Sequence, residues 1–214
     1  MTSTSQDNPT LPPNHHGGYP HFDGWRGLVA ALRFTLGRGP DADLAIALTG
    51  AGPGDDVLDV GCGPGVAVRR VAARGPSSVT GVDPAAVMLR FGRALTRPHR
   101  GHPTAVRYRE GTAEALPLPD GAATVVWSLA TVHHWRDLDA GLREVRRVLR
   151  PSGRFLAVER WAQPGASGHA SHGWTPDQAQ LFAERCRAAG FSNVQVDRHP
   201  RHRRSVLSVL AQAT

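Results

Sequence analysis

The sequence contains no lysine, and all 25 of its basic residues are arginines. Glycine and proline are abundant, with 24 and 17 of the 214 residues. A phosphate-binding face clusters Lys and Arg to neutralise phosphates, and such a face could account for the formal charge of +7. The all-arginine composition instead indicates a general bias in amino-acid usage. Nucleic acid is therefore not the expected partner.

Cysteine is also scarce, because only Cys62 and Cys186 occur, far apart and in unrelated contexts. A disulfide framework is excluded, and a reducing cytoplasm is the expected location. No apolar run is long enough to cross a bilayer, and the first residues lack the basic flank and apolar centre of a signal peptide. The sequence thus predicts a soluble cytoplasmic protein, either a monomer or a homodimer.

The length of 214 residues suits one domain that folds by packing alone. Residues 1–20 are rich in Ser, Asn, Pro and His without apolar periodicity, which predicts a disordered tail. Apolar residues recur at helical spacing over Trp25–Leu36 and again over Asp41–Thr49. We therefore expect residues 21–54 to form N-terminal helices, a cap or lid, ahead of a main domain over residues 55–214.

Strand-like and helical patterns alternate through that main domain. The predicted strands are Asp55–Val60, Val79–Val82, Ala105–Arg109, Ala122–Leu129, Arg154–Glu159, Asn193–Arg198 and Ser205–Ala211. The predicted helices are Val66–Ala73, one opened by Asp83 as N-cap and Pro84 as first residue, Asp137–Leu149, and one from Thr175-Pro176 to Gly190. The short connection between the last two predicted strands indicates an antiparallel hairpin. The prediction is an α/β, Rossmann-like three-layer sandwich: a mostly parallel seven-stranded sheet with an antiparallel C-terminal edge hairpin.

A glycine-rich turn follows the first strand of this domain, with glycines at 61, 63 and 65 and Asp59 two residues before them. Glycines at that position let backbone amides approach a ligand and permit positive φ. No Gly-Lys-Ser/Thr follows, which disfavours a triphosphate loop. Asp83 ends the second strand about twenty residues on, where a carboxylate can accept hydrogen bonds from ribose hydroxyls. A purely structural turn is the alternative.

The run Val57–Gly65 resembles the first motif of class I S-adenosylmethionine-dependent methyltransferases, and Gly81–Pro84 resembles their ribose-binding segment. Three later stretches, Glu110–Gly121, Val132–Trp135 and Glu144–Gly153, resemble segments of the small-molecule group that includes quinone-biosynthesis methyltransferases. The resemblance covers roughly residues 41–160 and carries no information about the substrate.

The resemblance implies S-adenosylmethionine as cofactor, S-adenosylhomocysteine as product and no metal. It implies cofactor contacts at Asp59, Gly61, Cys62, Gly63 and Gly65 (methionine part), Asp83 and Pro84 (ribose), Thr112, Ala113 and Glu114 (adenine), Met88 (purine face) and Ser128 near the end of the fourth strand. Three of these residues have a simpler structural interpretation: Asp83 can be a helix cap, Glu114 a surface carboxylate and Met88 a core residue. Thr112 stands where the family commonly has Asp, and Ser152 stands where it has glycine.

Methyl transfer is an in-line displacement that needs alignment more than a catalytic group. Should the acceptor be a hydroxyl, His134 or His133 is the candidate base, and a pocket-lining role is the alternative. Tyr19, Phe22 and Trp25 could close a lid over the cofactor. The pairs His169/His172 and His199/His202 come without carboxylate or cysteine spacing, so no metal site is predicted. The arginines at 198, 201, 203 and 204 are interpreted as a solvated hairpin.

The leading hypothesis is methyl transfer to a small-molecule acceptor. A non-catalytic cofactor-binding or regulatory module stays open, favoured by Thr112 and by a short segment between Trp161 and Trp174 where a substrate lid is often inserted. An RNA or protein methyltransferase is a further alternative, but Ser128–Thr131 lacks the Asn-Pro-Pro-Tyr type of signature. A nicotinamide-dependent dehydrogenase is disfavoured by the glycine spacing.

Overall fold

The computed structural model describes residues 39–96, 104–166, 172–200 and 205–214. The predicted tail, the helix Trp25–Leu36, the lid aromatics, His169, His202 and three of the four clustered arginines lie outside these ranges. Helices within them are α1 (Gly39–Thr49), α2 (Val66–Ala72), α3 (Ala86–Leu95), α4 (Leu138–Val148) and α5 (Pro176–Ala188). Strands are β1 (Asp56–Val60), β2 (Ser78–Asp83), β3 (Ala105–Glu110), β4 (Ala123–Leu129), β5 (Leu149–Arg160), β6 (Phe191–His199) and β7 (Val206–Ala213). No described helix has the length and apolar character needed to cross a membrane.

The strands form one sheet in the order β3-β2-β1-β4-β5-β7-β6. Strands β1 to β5 pair in parallel, whereas β7 runs antiparallel to both β5 and β6. The predicted mostly parallel sheet and antiparallel C-terminal hairpin are therefore confirmed. The strand order reverses between β1 and β4, and the carboxyl ends at such a reversal form the crevice in which α/β proteins bind ligands.

Apolar clusters cover both faces of the sheet, which confirms the three-layer arrangement. One face packs against α4 and α5, through residues such as Leu142, Val145 and Phe182. The other packs against α1, α2 and α3, through residues such as Ala45, Val68 and Leu89. Strands buried on both faces explain the apolar runs of β1 and β4, because alternation is lost when neither face meets water.

The starts of α3 and β5 differ from the prediction. Helix α3 begins at Ala86 with Ala85 as N-cap, so neither Asp83 nor Pro84 has the predicted position. The Asp83 carboxylate accepts the Ala85 amide from outside the helix. Strand β5 begins at Leu149 instead of Arg154, because Leu149 pairs with Ala123 ahead of an irregularity in the β4–β5 register.

The turn near the start of β5 holds Ser152 at φ 63°, in the left-handed region. Its side chain is exposed, so little packing is lost when it is removed. A side chain in this region costs about 1–2 kcal/mol, partly offset by the greater entropy of glycine in the unfolded chain. We expect Ser152→Gly to raise the free energy of unfolding by about 0.5–1 kcal/mol, measured by urea denaturation. Ser152→Ala keeps the Cβ and is the control: equal stabilisation by both variants would contradict this explanation.

Candidate cofactor and acceptor cleft

The turn between β1 and α2 contains three glycines in the left-handed region, with φ of 75° at Gly61, 52° at Gly63 and 74° at Gly65. A Cβ on Gly61 would lie 2.6 Å from Cγ2 of Thr131, and one on Gly65 would lie 2.1 Å from the hydroxyl oxygen of Tyr108. No described atom lies within 4 Å of a Cβ placed on Gly63. The outer glycines are thus required by packing, and the central one faces open space.

The backbone amides of this turn all donate hydrogen bonds within the protein. Gly61 and Cys62 donate to the Val82 carbonyl at 2.8 and 3.0 Å, Gly63 donates to Oδ2 of Asp83 at 2.8 Å, and Gly65 donates to the Cys62 carbonyl at 3.0 Å. A phosphate-binding loop would direct these N–H groups at its ligand. The expectation that the glycines bring amides to the ligand is therefore not met, because each of these N–H groups already has a partner within the protein.

Asp83 ties the glycine turn to the end of β2. Its Oδ2 accepts the Gly63 amide and its Oδ1 accepts the Ala85 amide at 2.9 Å. The residue is buried, at 9% exposed. Its structural role is therefore to hold the turn, and ribose binding stays a prediction.

A pocket opens beside the turn, and two of its lining residues are acidic. The lining consists of Asp41, Asp59, Gly61, Cys62, Pro64, Val66, Ala67 and Leu129. Asp59 is buried near the end of β1, at 3% exposed, and Asp41 comes from the first turn of α1. Sequence reasoning missed Asp41, because nothing along the chain indicates that α1 lies over the turn. Two carboxylates at one pocket favour a cationic ligand.

The residues predicted to flank the adenine lie in the turn after β3. Thr112 is exposed and forms an isolated bridge with Ala115, whereas Ala113 is buried. Oε1 of Glu114 accepts the amides of Arg136 at 2.6 Å and Asp137 at 3.3 Å. Glu114 thus fixes the chain ahead of α4, and its contact with adenine stays a prediction.

The remaining predicted cofactor residues differ in accessibility. Pro84 is exposed, and Met88 is buried at 2% exposed. Ser128 is fully buried, and its hydroxyl lies 2.7 Å from that of Thr131. The Thr131 hydroxyl in turn donates to the Val60 carbonyl at 3.0 Å. Ser128 therefore supports the Thr131 side chain that packs against Gly61, one step away from the cleft.

An acid–base pair on α4 holds the segment that follows the predicted adenine turn. Oε2 of Glu144 accepts the Leu116 amide at 2.8 Å. Arg147 donates to the carbonyls of Leu116 and Leu118 at 3.1 and 2.9 Å, and to both oxygens of Glu144. Hydrogen bonding by Arg147 lowers the pKa of Glu144, and the Glu144 and Asp120 carboxylates raise the pKa of Arg147.

This geometry predicts how Glu144 contributes to stability. Because its pKa is lowered on folding, its stabilisation is present above the ordinary value of 4.5 and is lost as pH falls through the folded value. We expect Glu144→Gln to lose about 1–2 kcal/mol at pH 7 and to show a smaller fall in stability below pH 4.5. Denaturation curves from pH 7 to pH 3 test this. Glu184→Gln, at an exposed position of α5, is the control, and an equal effect there would contradict a specific clamp.

The histidines predicted as candidate bases lie in a 3₁₀ turn, Val132–His134, directly after β4. Nδ1 of His133 is 2.9 Å from Oε2 of Glu159, and both side chains are buried. The ring of His134 lies 4.0 Å from that of His133, and the ring of His172 lies 5.3 and 6.0 Å from the two. One ring nitrogen from each of the three histidines lies within 4.8 Å of the others.

This histidine cluster (His133, His134 and His172) could hold a metal ion, an arrangement that the sequence did not predict. The prediction of no metal site considered His172 only with its neighbour His169, because the chain gives no sign that residue 172 returns to the end of β4. His199, from the second histidine pair in the sequence, contacts Ser208 instead, with 2.8 Å between Nε2 and Oγ. Glu159 was also missed, since the pairing of β4 with β5 is what brings its strand beside β4.

A parallel bridge between Trp161 and Trp174 places His172 at the end of β5. The Trp174 amide donates to the Arg160 carbonyl at 2.9 Å, and the Ala162 amide donates to the Trp174 carbonyl at 2.8 Å. Gly173 has φ 142°, and a Cβ there would lie 2.1 Å from the Arg160 carbonyl oxygen. Only glycine can make this approach, so Gly173 fixes the position of its neighbour.

The sheet order, the glycine turn at the strand reversal and the acid ending β2 together define a Rossmann-like α/β fold with a ligand crevice at the carboxyl ends of its strands. Residues 58–157 match the family described as "Methyltransferase domain". The match covers slightly less than half of the chain and agrees with the resemblance that its motifs predict.

Several curated relatives of this chain are methyltransferases by name. The chain is 34% identical over 116 residues to 27-O-demethylrifamycin SV methyltransferase of Amycolatopsis mediterranei, covering 54% of this chain and 42% of the relative. It is 37% identical over 106 residues to the ubiquinone/menaquinone biosynthesis C-methyltransferase UbiE of Rubrivivax gelatinosus, covering 50% and 39%. The similarity thus spans less than half the length of these relatives.

Solved structures with the same fold include a chain from the complex of the Haloferax volcanii Trm112 methyltransferase activator with a methyltransferase. It has a TM-score of 0.74 at 20% identity, covering 92% of this chain and 99% of that one. A SAM-dependent methyltransferase from Aquifex aeolicus has a TM-score of 0.69 at 16% identity, covering 87% and 98%. At these identities the likeness concerns the fold alone.

Proposed function

We propose that the chain binds S-adenosylmethionine in the cleft at the carboxyl ends of β1, β2 and β4 and transfers its methyl group to a small-molecule acceptor. The observation that carries the proposal is the glycine turn. Its amides are engaged internally, it is flanked by Asp59 and Asp83, and it lies in the segment that matches the methyltransferase domain family. A turn of this kind suits a cationic ligand better than a phosphate.

The cofactor has two positive groups, its sulfonium and its α-ammonium. In the proposed orientation these lie beside the turn, near the carboxylates of Asp59 and Asp41, with Gly63 allowing close approach. Asp83, at the end of β2 beside the glycine turn, binds the ribose diol through its carboxylate. Thr112 and Ala113 flank the adenine, and the Glu144–Arg147 pair keeps the following segment in place.

The chemical step is a displacement at the methyl carbon. A lone pair of the acceptor forms the new bond to carbon while the carbon–sulfur bond breaks, and its electron pair stays on sulfur to give neutral S-adenosylhomocysteine. An acceptor hydroxyl must also lose its proton. The groups that can accept this proton are His133 and His134. Because Glu159 is bound to Nδ1 of His133, Nε2 is the ring nitrogen turned to other partners.

A small-molecule acceptor is supported by the relatives, whose names give a rifamycin precursor and ubiquinone or menaquinone biosynthesis as their chemistry. In the proposed arrangement the acceptor end lies between the 3₁₀ turn and the end of β5, beside the partly buried Trp161. An aromatic hydroxyl compound suits a site that combines an indole ring with histidines.

The test is a transfer assay with methyl-labelled S-adenosylmethionine against phenols, hydroquinones, amines, carboxylic acids, RNA and protein extracts. The proposal expects label in a hydroxylated aromatic or other small acceptor, together with equimolar S-adenosylhomocysteine. His134→Asn is expected to lower kcat for hydroxyl acceptors while leaving cofactor affinity unchanged. Label only in RNA or protein would contradict a small-molecule acceptor. Tight cofactor binding without turnover of any class would favour the non-catalytic alternative.

A further inference from the structure

We propose that His133, His134 and His172 form a binding site for one divalent transition-metal ion at the acceptor end of the cleft. Two of these residues are consecutive in the turn after β4, and the third comes from the segment before α5. Three imidazoles from two separate segments converge at one place, with one ring nitrogen of each within 4.8 Å of the others. Imidazole is the commonest protein ligand of such metals.

The separations are compatible with coordination after small side-chain adjustments. Nitrogens bound to one zinc ion at about 2.0–2.1 Å with tetrahedral angles lie roughly 3.4 Å apart. The largest separation here must therefore shrink by roughly 1.4 Å, which rotation of imidazole rings about their side-chain torsions can supply. His134 and His172 are only partly buried.

Glu159 supplies the second feature of a built metal site. Its carboxylate is fully buried, with one oxygen 2.9 Å from Nδ1 of His133 and the other 3.4 Å from the His133 amide. A carboxylate behind a ligating histidine fixes the ring orientation and the tautomer and raises the basicity of the outward nitrogen. Burying a carboxylate is costly, and a cation beyond His133 would offset part of that cost.

The backbone also holds the third histidine in place. The Trp161–Trp174 bridge and the close approach of Gly173 to the Arg160 carbonyl fix the chain one residue after His172. Glu159 and Arg160 are consecutive in β5. The Glu159 side chain positions His133, and the Arg160 backbone positions the segment that carries His172. The cluster is therefore preorganised from two directions, as a metal site requires.

Three protein ligands leave at least one coordination position open, the arrangement of catalytic rather than structural sites. In the further step that rests on the proposed function, an acceptor hydroxyl occupies that position and releases its proton to water, because a bound cation lowers the pKa of an oxygen ligand. The resulting oxygen anion then takes the methyl group from sulfur. The histidines act in this case as ligands instead of proton acceptors.

The test uses the full chain after treatment with a chelator, titrated with Co²⁺ and followed by visible absorption, with Zn²⁺ as competitor. The proposal expects one tightly bound ion per chain and intense absorption typical of tetrahedral cobalt. His134→Ala and His172→Ala are each expected to abolish saturable binding. Glu159→Gln is expected to weaken it 10–100-fold, as is typical when such a carboxylate is removed.

Control variants distinguish cobalt binding at this site from nonspecific cobalt binding by the 11 histidines in the chain. His199→Ala, and the double variant His15→Ala with His16→Ala, should leave cobalt binding unchanged. Binding that disappears in either control, or that persists in His172→Ala, would overturn the proposal, as would the lack of binding by folded wild-type chain. Circular dichroism and titration with S-adenosylhomocysteine check that each variant retains its fold and cofactor cleft. Failure of the metal site is therefore distinguishable from failure of the proposed function.

Discussion

Replacing Gly65 with alanine is expected to lower the free energy of unfolding by about 3–5 kcal/mol. The left-handed backbone at φ 74° alone costs a non-glycine residue about 1–2 kcal/mol. The new Cβ would also lie 2.1 Å from the hydroxyl oxygen of Tyr108. Tyr108 cannot easily yield, because it is 8% exposed and its hydroxyl lies 2.9 Å from that of Thr96. Urea denaturation monitored by circular dichroism measures the change.

Gly63→Ala is the matched control for this prediction. Its backbone is also left-handed, at φ 52°, but no described atom lies near the added methyl group. We expect a loss of only about 1–2 kcal/mol there. Combining Gly65→Ala with Tyr108→Ala should show a favourable coupling of more than about 1 kcal/mol, because the clash is then absent. Equal losses at positions 63 and 65 without coupling would refute the packing explanation.

Asp83→Asn is expected to weaken the binding of S-adenosylmethionine by about 10–100-fold. The carboxylate accepts backbone amides with both oxygens, from Gly63 and Ala85. An asparagine can accept only one of them and would place its own NH₂ group against the other. Both the position of the glycine turn and the proposed hydrogen bonds to ribose are then impaired. Isothermal calorimetry gives the affinity, and denaturation gives the accompanying loss of stability.

Asp43→Asn provides the comparison, since Asp43 is half-exposed on α1 and pairs with Arg70 at the surface. Its removal should change neither affinity nor stability appreciably, because exposed ion pairs contribute little. Unchanged cofactor affinity in folded Asp83→Asn would show that Asp83 holds the turn without contacting ligand. The variant can therefore contradict a ribose contact, whereas a loss of affinity is expected from either role.

The sequence predicts the sheet, its hairpin and the glycine turn because each depends on local patterns. Apolar runs indicate β1 and β4. The glycines at 61 and 65 indicate a turn in which neighbouring side chains occupy the space that a Cβ would need. The start of α3 differs from the prediction because an aspartate before proline can lie either at the N-cap or outside the helix. The hydrogen bond that the Gly63 amide donates to Asp83 holds the aspartate outside the helix.

The parts that could not be predicted all depend on contacts between segments distant in sequence. Glu159 reaches His133 because β5 pairs with β4, and His172 reaches both through the Trp161–Trp174 bridge. Asp41 reaches the pocket only through the packing of α1. A carboxylate or histidine carries no mark of such partners in its local sequence. Knowing the strand order would have found Glu159, since it lies near the carboxyl end of a strand beside β4.

Calorimetric titration of the full chain with S-adenosylmethionine, S-adenosylhomocysteine and NAD tests whether the cleft binds S-adenosylmethionine. We expect micromolar, one-to-one binding of both adenosyl ligands, weakened by Asp83→Asn, and no detectable binding of NAD. If demonstrably folded protein bound neither adenosyl ligand, or bound NAD in preference to them, the assignment of the cleft to S-adenosylmethionine would be contradicted.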